Sequence, residues 1–187
     1  MNLDLPTPKL TMNLEVKIKD NFLPTELFQQ LVNHSITLEY NSNDIVQGYG
    51  DDKQHVFLSK LIQDKHLIGE LEKCIIKHFD VKIKNLHQAA FTCVNTKEPT
   101  PHRDASVFPN EKHLIIYLHG DSNLNAGTGF YSLTPENGGF DLNTAVGFYP
   151  NRAVVFNADE CWHSPLLYTA KDNSPRFSII IWFEPEK

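Results

Sequence analysis

Three pairs of histidine and aspartate, each with one residue between them, are the features of this sequence best suited to metal chemistry. They are His78 with Asp80, His102 with Asp104, and His119 with Asp121. Imidazole nitrogens and carboxylate oxygens both bind divalent transition metals. With nine histidines and twelve aspartates in 187 residues, chance alone gives about 0.6 such pairs. The spacing by itself therefore does not identify a site.

The local sequence separates two of these pairs from the third. Residues i and i+2 point to the same side of a strand but lie about 200° apart around a helix. His78 and Asp80 end a helical pattern, so we interpret His78 as a cation at a helix C terminus. His119 and Asp121 come where the apolar run "HLIIYL" gives way to a polar turn. This pair remains the weaker competitor for a metal site.

The stretch "PTPHRDASVF" presents His102 and Asp104 after two prolines. Proline before His102 favours an extended backbone, which would hold both side chains on one face. The alternative is that both are polar residues on a solvated loop. Extended geometry makes this the strongest of the three candidate pairs.

A third metal ligand must come from elsewhere in the chain. The later histidines are His113, His119 and His163. The segment "AVVFNADECWHSP" presents His163 shortly after an apolar strand and beside Trp162. A histidine beside a tryptophan is more often structural than ligating, so the assignment of His163 as a ligand depends on the segment after it.

That segment places an arginine at the start of the apolar strand "RFSIIIWF". Ser178 lies two residues after Arg176, so both side chains share one face of the strand. A guanidinium that faces into a barrel needs an anion, because burying it without a partner costs several kcal/mol. The alternatives are an internal salt bridge and an arginine outside the barrel rim.

The elements around these residues predict an α+β fold in which β structure dominates. "LEVKIKD" alternates like a strand, and Pro24 precedes a helical pattern in "NFLPTELFQQLVNH". Helical spacing continues from Ser59 to Phe79, as one helix or as two broken near Lys65. After residue 80 come short apolar runs separated by turn residues: "VKI", "QAAFTCV", "HLIIYL", "GFYSL", "AVGFY", "AVVFN", "PLLYT" and "FSIIIWF". Strands of this kind predict a jelly roll or barrel backed by the N-terminal helices.

We predict one domain over residues 1–187, without internal repeats. Residues 1–13 are expected to be a flexible arm, residues 14–80 a strand with helices, and residues 81–187 the jelly-roll core. Residues 41–52 are expected to be a surface loop. That loop, with Phe108 and Trp162, is a candidate substrate mouth.

Composition narrows the class of protein. A hydrophobic content of 41% and a charged content of 21% are those of a soluble globular protein, and no apolar run is long enough to span a bilayer. The first twenty residues do not read as a secretory signal, so we expect a cytoplasmic protein. The net charge of −6 and the absence of a basic block argue against a nucleic-acid partner. Three cysteines without CxxC spacing suit free thiols.

One ordered set of residues resembles a known family. His102, Asp104, His163, Arg176 and Ser178 match the signature of Fe(II)- and 2-oxoglutarate-dependent dioxygenases, which is HxD, a distant His and then Arg-x-Ser. The context is similar to the prolyl 4-hydroxylase-like branch in "IKDNFLPTELFQQLVNH", "HLIIYLHGDSNLNAGTGFYSL" and "VGFYPNRAVVFNADECWHSP". The resemblance extends over most of residues 17–184. It implies a double-stranded β-helix of the jelly-roll type.

The resemblance also implies a site and a reaction. His102, Asp104 and His163 would be the metal-binding and catalytic residues, and Arg176, Ser178 and Tyr117 would bind the co-substrate. The cofactors implied are Fe(II), 2-oxoglutarate and O2, with ascorbate as a possible reductant. The reaction implied is hydroxylation of an aliphatic C–H of a peptide of the proline type or of a small molecule, with release of succinate and CO2.

The sequence departs from the pattern of that branch at two positions. Many of its members have a tyrosine before HxD and a lysine for the co-substrate, whereas this chain has "FTCVNTKEPTP" and Arg176. The alternatives to the 2-oxoglutarate reaction are a cupin-like metal enzyme that does not use 2-oxoglutarate and a non-catalytic jelly-roll binding module.

Overall fold

A computed structural model describes residues 15–40, 55–96, 100–104, 106, 108, 110–134, 138–157, 159–166 and 175–186. The side chains of residues 55–58, 95, 96 and 124 are not included in this description. The expected arm at 1–13 and the expected loop at 41–52 lie outside the described residues, so both remain predictions.

The described chain contains two helices and nine strands. In order they are β1 (Lys17–Lys19), α1 (Thr25–Ser35), β2 (His55–Leu61), α2 (Lys65–Phe79), β3 (Ile83–Thr96), β4 (Lys112–His119), β5 (Asn123–Leu133), β6 (Phe140–Phe148), β7 (Ala153–Asn157), β8 (Trp162–Pro165) and β9 (Arg176–Pro185). The prediction of a mainly β fold with N-terminal helices is confirmed. None of the helices in the described ranges has both the length and the apolar character needed to cross a membrane.

The strands form two antiparallel sheets. The larger has the order β1-β7-β4-β9-β3-β2, and the smaller has the order β6-β5-β8. Buried side chains from both sheets, including Tyr117 of β4, Phe130 of β5 and Phe156 of β7, pack into one cluster. The sheets therefore face each other in a jelly-roll-like arrangement.

The period of two along each strand divides the larger sheet into an inner and an outer face. Leu114, Ile116 and Leu118 of β4 belong to the core that also holds the helices. Tyr117, from the alternate set of β4 positions, packs with the smaller sheet instead. The odd-numbered positions of β4 and the even-numbered positions of β9 thus face the interior between the sheets, where the predicted site residues must lie.

Helix α2 has well-defined ends. It begins after Asp64, whose carboxylate accepts hydrogen bonds from the backbone nitrogens of His66 at 2.8 Å and Leu67 at 3.3 Å. A cap of this kind contributes about 1 kcal/mol. The helix ends at Phe79, and Asp80 comes next in the left-handed region at φ 51°. His78 lies in the last turn as predicted, but burial lowers its pKa, which opposes the expected positive charge.

The helical pattern predicted from Ser59 to Phe79 is wrong in its first part. Residues up to Leu61 form strand β2, which pairs with β3 from His55 opposite Thr96 to Leu61 opposite Ala90. Apolar spacing cannot reveal this pairing, because a distant strand supplies the hydrogen bonds. Since β1 and β2 both join the larger sheet, residues 14–80 contribute more β structure than expected.

The strand predicted at "PLLYT" is displaced toward the N terminus. Strand β8 covers Trp162–Pro165 and pairs with β5, with Tyr131 opposite Trp162 and Thr128 opposite Pro165. Residues 167–169 lie outside the described ranges. Hydrogen bonding to β5 thus places His163 inside a strand.

Candidate metal centre

The two predicted histidine ligands are brought together by their own main chains. The backbone nitrogen of His102 donates to the carbonyl oxygen of His163 at 2.9 Å, and the nitrogen of His163 donates to the carbonyl of His102 at 2.8 Å. This bridge extends the smaller sheet beyond β8 by one residue pair. The imidazole rings lie 4.5 Å apart between centroids.

Asp104 places its carboxylate against both rings. Its Oδ1 lies 3.6 Å from Nε2 of His102, and its Oδ2 lies 3.7 Å from Nε2 of His163. One ligand atom from each of the three residues lies within 4.8 Å of the others, and no other group of this kind occurs among the described residues. The competing pairs at 78/80 and 119/121 do not assemble one.

The hydrogen bonds at Nδ1 of both rings leave the Nε2 atoms available to bind a metal. Nδ1 of His102 lies 3.1 Å from the carbonyl oxygen of Thr100, and Nδ1 of His163 lies 3.0 Å from that of Cys161. A carbonyl oxygen only accepts hydrogen bonds, so each Nδ1 carries the proton. Each Nε2 then has a lone pair, and both Nε2 atoms face Asp104. In metal sites, a hydrogen bond at the ring nitrogen that does not bind the metal, here Nδ1, orients the histidine.

The charges also suit a cation. Burial alone would raise the pKa of Asp104, but the imidazoles of His113, His163 and His102 hold it well below its ordinary value. Burial lowers the pKa of His163 to about 3. The site therefore has an ionised carboxylate beside a neutral imidazole, which are the protonation states that metal binding requires.

Three buried atoms at the site lack a hydrogen-bond partner within the described part of the chain, namely Oδ2 of Asp104 and both ring nitrogens of His113. Nδ1 of His113 lies 2.8 Å from Oδ2 of Asp104. Two imidazole nitrogens and one carboxylate together fit the 2-His-1-carboxylate set that suits Fe(II).

The predicted co-substrate residues lie on the inner face of the larger sheet. Ser178 pairs with Thr92 on one side and with Tyr117 on the other, and Arg176 is two positions away on the same face. Arg176 is only 5% exposed, and its guanidinium donates to the carbonyl oxygens of Ala126 and Gly127 in β5. The arginine thus crosses the interior between the two sheets and does not lie outside the rim.

A buried pair of hydroxyl groups completes this region. Oη of Tyr117 and Oγ1 of Thr128 are joined by a 2.8 Å hydrogen bond, and burial raises the pKa of Tyr117. On β5, Thr128 is two residues from Phe130, which pairs with His163. Two residues span about 7 Å along a strand. The Tyr117–Thr128 hydroxyl pair and the candidate ligand His163 are therefore separated along β5 by roughly the length of a short organic acid.

Gly127 allows the smaller sheet to close tightly beside Arg176. A Cβ atom at this position would lie 1.7 Å from the carbonyl oxygen of Val146. The Gly127 carbonyl accepts from Arg176 at 3.2 Å and from the backbone nitrogen of Leu166 at 2.9 Å. A larger residue would have to displace the main chain of β6.

The two aromatic residues suggested for a substrate mouth contact other groups. Trp162 packs at 4.9 Å against Phe140, with the guanidinium carbon of Arg103 4.8 Å from its ring centroid. Phe108 stacks on His87 at 4.1 Å. Trp162 alternates with His163 along β8, so its ring lies on the opposite face of the strand from the candidate ligand His163.

Sequence reasoning did not single out His113, whose Nδ1 lies 2.8 Å from Oδ2 of Asp104. The strand pattern "HLIIYL" already places His113 on the same face as Tyr117, four residues on. That alternation was the available signal. Its contact with Asp104 could not be inferred, because it depends on how the loop before β4 returns to the sheet.

The comparisons with known proteins show a similarity of fold. No protein-family model and no curated protein matches the sequence. A prolyl-4-hydroxylase from Pseudomonas putida is similar with a TM-score of 0.57 and 15% identity, covering 94% of this chain and 95% of that one. HygX from Streptomyces hygroscopicus, solved with nickel and 2-oxoglutarate, has a TM-score of 0.62 and 8% identity over 92% and 83% of the chains.

A third solved structure carries a peptide. This prolyl hydroxylase from Trichoplax adhaerens, in complex with a fragment of the hypoxia inducible factor oxygen degradation domain, has a TM-score of 0.60 and 16% identity over 90% and 82% of the chains. The predicted resemblance is confirmed at the level of the fold. The chain has the fold of prolyl hydroxylases and other 2-oxoglutarate- and Fe(II)-dependent oxygenases.

Proposed function

We propose that this protein is an Fe(II)- and 2-oxoglutarate-dependent oxygenase that hydroxylates an aliphatic C–H bond. The observation that carries the proposal is the convergence of His102, Asp104 and His163, with both Nε2 atoms directed at the carboxylate. The two facing sheets would then be the halves of a double-stranded β-helix, within a single domain over residues 1–187.

Three residues would hold the metal. Nε2 of His102, Nε2 of His163 and one oxygen of Asp104 would bind it, a donor set that suits Fe(II). Ferrous iron with 2-oxoglutarate supplies the oxidative chemistry, in which O2 is consumed and succinate and CO2 are released as a substrate carbon is hydroxylated. Ascorbate would serve as a reductant that keeps the iron ferrous.

Arg176, Ser178 and Tyr117 would bind the distal carboxylate of 2-oxoglutarate. A guanidinium can form two parallel charge-assisted hydrogen bonds to a carboxylate. The hydroxyl groups of Ser178 and Tyr117 face the same interior and could donate further hydrogen bonds. Buried apolar residues of the inner cluster, among them Phe130, Phe148 and Phe156, would exclude water from the reaction.

The proposed substrate is a peptide of the proline type or a small molecule. The peptide complex of the Trichoplax prolyl hydroxylase supports the first class, and the epimerase SnoN, solved with nogalamycin RO, supports the second. A net charge of −6 makes a nucleic acid a poor partner, since phosphate binding needs clustered positive charge.

Succinate formation tests the proposal. Purified protein with Fe(II), 2-oxoglutarate and ascorbate should form succinate slowly without substrate and faster with an accepted member of a panel of peptides and amino acids. Asp104→Ala should lower the rate by more than about 100-fold, because it removes a metal ligand. Asp121→Ala, in the competing pair, is the matched control and should retain the parent rate.

Two results would contradict the proposal. A protein that binds metal at His102 but forms no succinate under any condition would be a metal enzyme that does not use 2-oxoglutarate. A protein that gives no calorimetric heat with a divalent metal would be a binding module without a metal centre.

A further inference from the structure

A third histidine lies against the metal-binding carboxylate. His113 is only 5% exposed, and its Nδ1 is 2.8 Å from Oδ2 of Asp104. Neither ring nitrogen of His113 has a hydrogen-bond partner among the described residues. Within the described ranges, the other buried side-chain atoms without a hydrogen-bond partner are Oδ2 of Asp104 itself and Oγ of Ser106.

Packing alone fixes the ring of His113. Trp182, which faces it across the β4–β9 pairing, stacks on it at 4.6 Å with the planes 17° apart. Phe156, opposite it on β7, lies 5.0 Å away, and His163 meets it edge-on at 5.6 Å. Aromatic contacts therefore hold the imidazole in one place.

A purely structural role does not account for a histidine at this position. An unsatisfied buried polar group costs about 1–3 kcal/mol, and phenylalanine would fill the same aromatic slot without that cost. The group that distinguishes histidine from phenylalanine here is Nδ1, and Nδ1 is the atom that faces Asp104.

His113 is not a fourth ligand. The ligand atoms that lie within 4.8 Å of one another come from His102, Asp104 and His163, and His113 is outside this group. His102 faces Oδ1 of Asp104, whereas His113 contacts Oδ2. The ring thus lies against Oδ2, which is also 3.7 Å from Nε2 of His163, and leaves Oδ1 directed toward His102.

We propose that His113 is a positioning residue, which donates its Nδ1 proton to Oδ2 of Asp104 and leaves Oδ1 to bind the metal. The inference rests on the proposed metal centre. A carboxylate that binds through one oxygen occupies one coordination position. Binding through both would occupy two and leave less room for co-substrate and O2. Hydrogen bonds that orient a ligand in this way commonly change metal affinity by about 10–100-fold.

Three substitutions of His113 distinguish the contribution of Nδ1 from that of Nε2. The amide nitrogen of His113→Asn lies near the position of Nδ1, and that of His113→Gln near the position of Nε2. His113→Phe removes both nitrogens and keeps the stacking on Trp182. His119→Phe is the matched control, because His119 is exposed on the same strand.

Calorimetric titration with Co(II), without 2-oxoglutarate, measures the effect. We expect His113→Phe and His113→Gln to weaken Co(II) binding by about 10–100-fold, and His113→Asn and His119→Phe to remain close to the parent. The visible absorption of bound Co(II), which reports coordination number and geometry, should change for Phe and Gln and persist for Asn.

The outcomes are distinct. Equal affinities and spectra for Phe, Gln, Asn and parent would overturn the inference, as would equal losses for Asn and Gln. Thermal unfolding of the metal-free variants detects misfolding, and if the Phe variant does not fold, the Asn and Gln pair decides. A parent that binds no Co(II) would overturn both this inference and the metal centre. A parent that binds Co(II) but forms no succinate would overturn the oxygenase proposal alone.

Discussion

At the scale of single residues, the candidate site is built from groups whose protonation is set before any metal arrives. Backbone carbonyls at Thr100 and Cys161 fix the tautomers of His102 and His163. Burial keeps His163 neutral. Burial also opposes the ionised form of Asp104, but neighbouring groups, His113 first among them, outweigh this effect and hold the pKa of Asp104 below its ordinary value. Metal binding near neutral pH would therefore require little proton release from His163 or Asp104.

Arg176 offers a residue-scale prediction that separates co-substrate from metal. Because a charge-assisted hydrogen bond to a carboxylate contributes about 1.5–3 kcal/mol, Arg176→Gln should weaken 2-oxoglutarate binding by roughly 10–100-fold. Co(II) affinity should not change. Titration of the Co(II)-loaded protein with 2-oxoglutarate measures this effect.

The control for Arg176 is another arginine near the site. Arg103→Gln removes the exposed guanidinium that lies over Trp162 and should leave 2-oxoglutarate affinity at the parent value. Equal weakening by both substitutions would point to a general effect of positive charge and against a specific pocket at Arg176.

At the scale of elements, the turn between β6 and β7 fastens the N-terminal segment to the sheet. Asn151 is left-handed at φ 61°. Its Oδ1 accepts from the nitrogen of Leu23 at 2.8 Å and its Nδ2 donates to the carbonyl of Leu23 at 2.9 Å. Its own backbone nitrogen donates to the carbonyl of Tyr117 at 2.8 Å. One residue thus connects the start of α1 to the strand that carries Tyr117 and His113.

We predict that Asn151→Ala destabilises the protein. Two buried hydrogen bonds would be lost and a left-handed position would receive an unsuitable residue, at a combined cost of about 2–4 kcal/mol. Asn151→Gly keeps the backbone conformation and should cost less than Asn151→Ala. Chemical denaturation of the three proteins measures the difference, and equal values for Ala and Gly would show that φ contributes nothing.

At the scale of the whole molecule, metal binding and folding should be linked. A ligand that binds only the folded state at 100 times its dissociation constant adds about 2.7 kcal/mol to the free energy of unfolding. We expect Co(II) to raise the melting temperature of the parent and a chelator to reverse the rise. His163→Phe should abolish the shift. A shift that persists in that variant would place the bound metal elsewhere.

Much of this architecture could be predicted from the sequence, for reasons visible in particular residues. The alternation in β4 and the apolar run of β9 are strong local signals, and the order of His102, Asp104, His163, Arg176 and Ser178 points to the fold and to the residues that the structure brings together. Local spacing wrongly assigns residues 59–61, the end of β2, to a helix, because that strand is stabilised by its pairing with the distant strand β3. The role of His113 escapes sequence reasoning because it depends on a contact across the interior.

The main-chain bridge between His102 and His163 has a consequence for metal capture. Each histidine holds the other's backbone through two hydrogen bonds, so the separation of the two imidazoles is fixed by peptide groups and not by the ion. An incoming cation would meet two of its three proposed donors already held close together by the main chain. Little conformational freedom would remain to be lost when the metal binds. The two rings would also keep their relative arrangement after the metal dissociates.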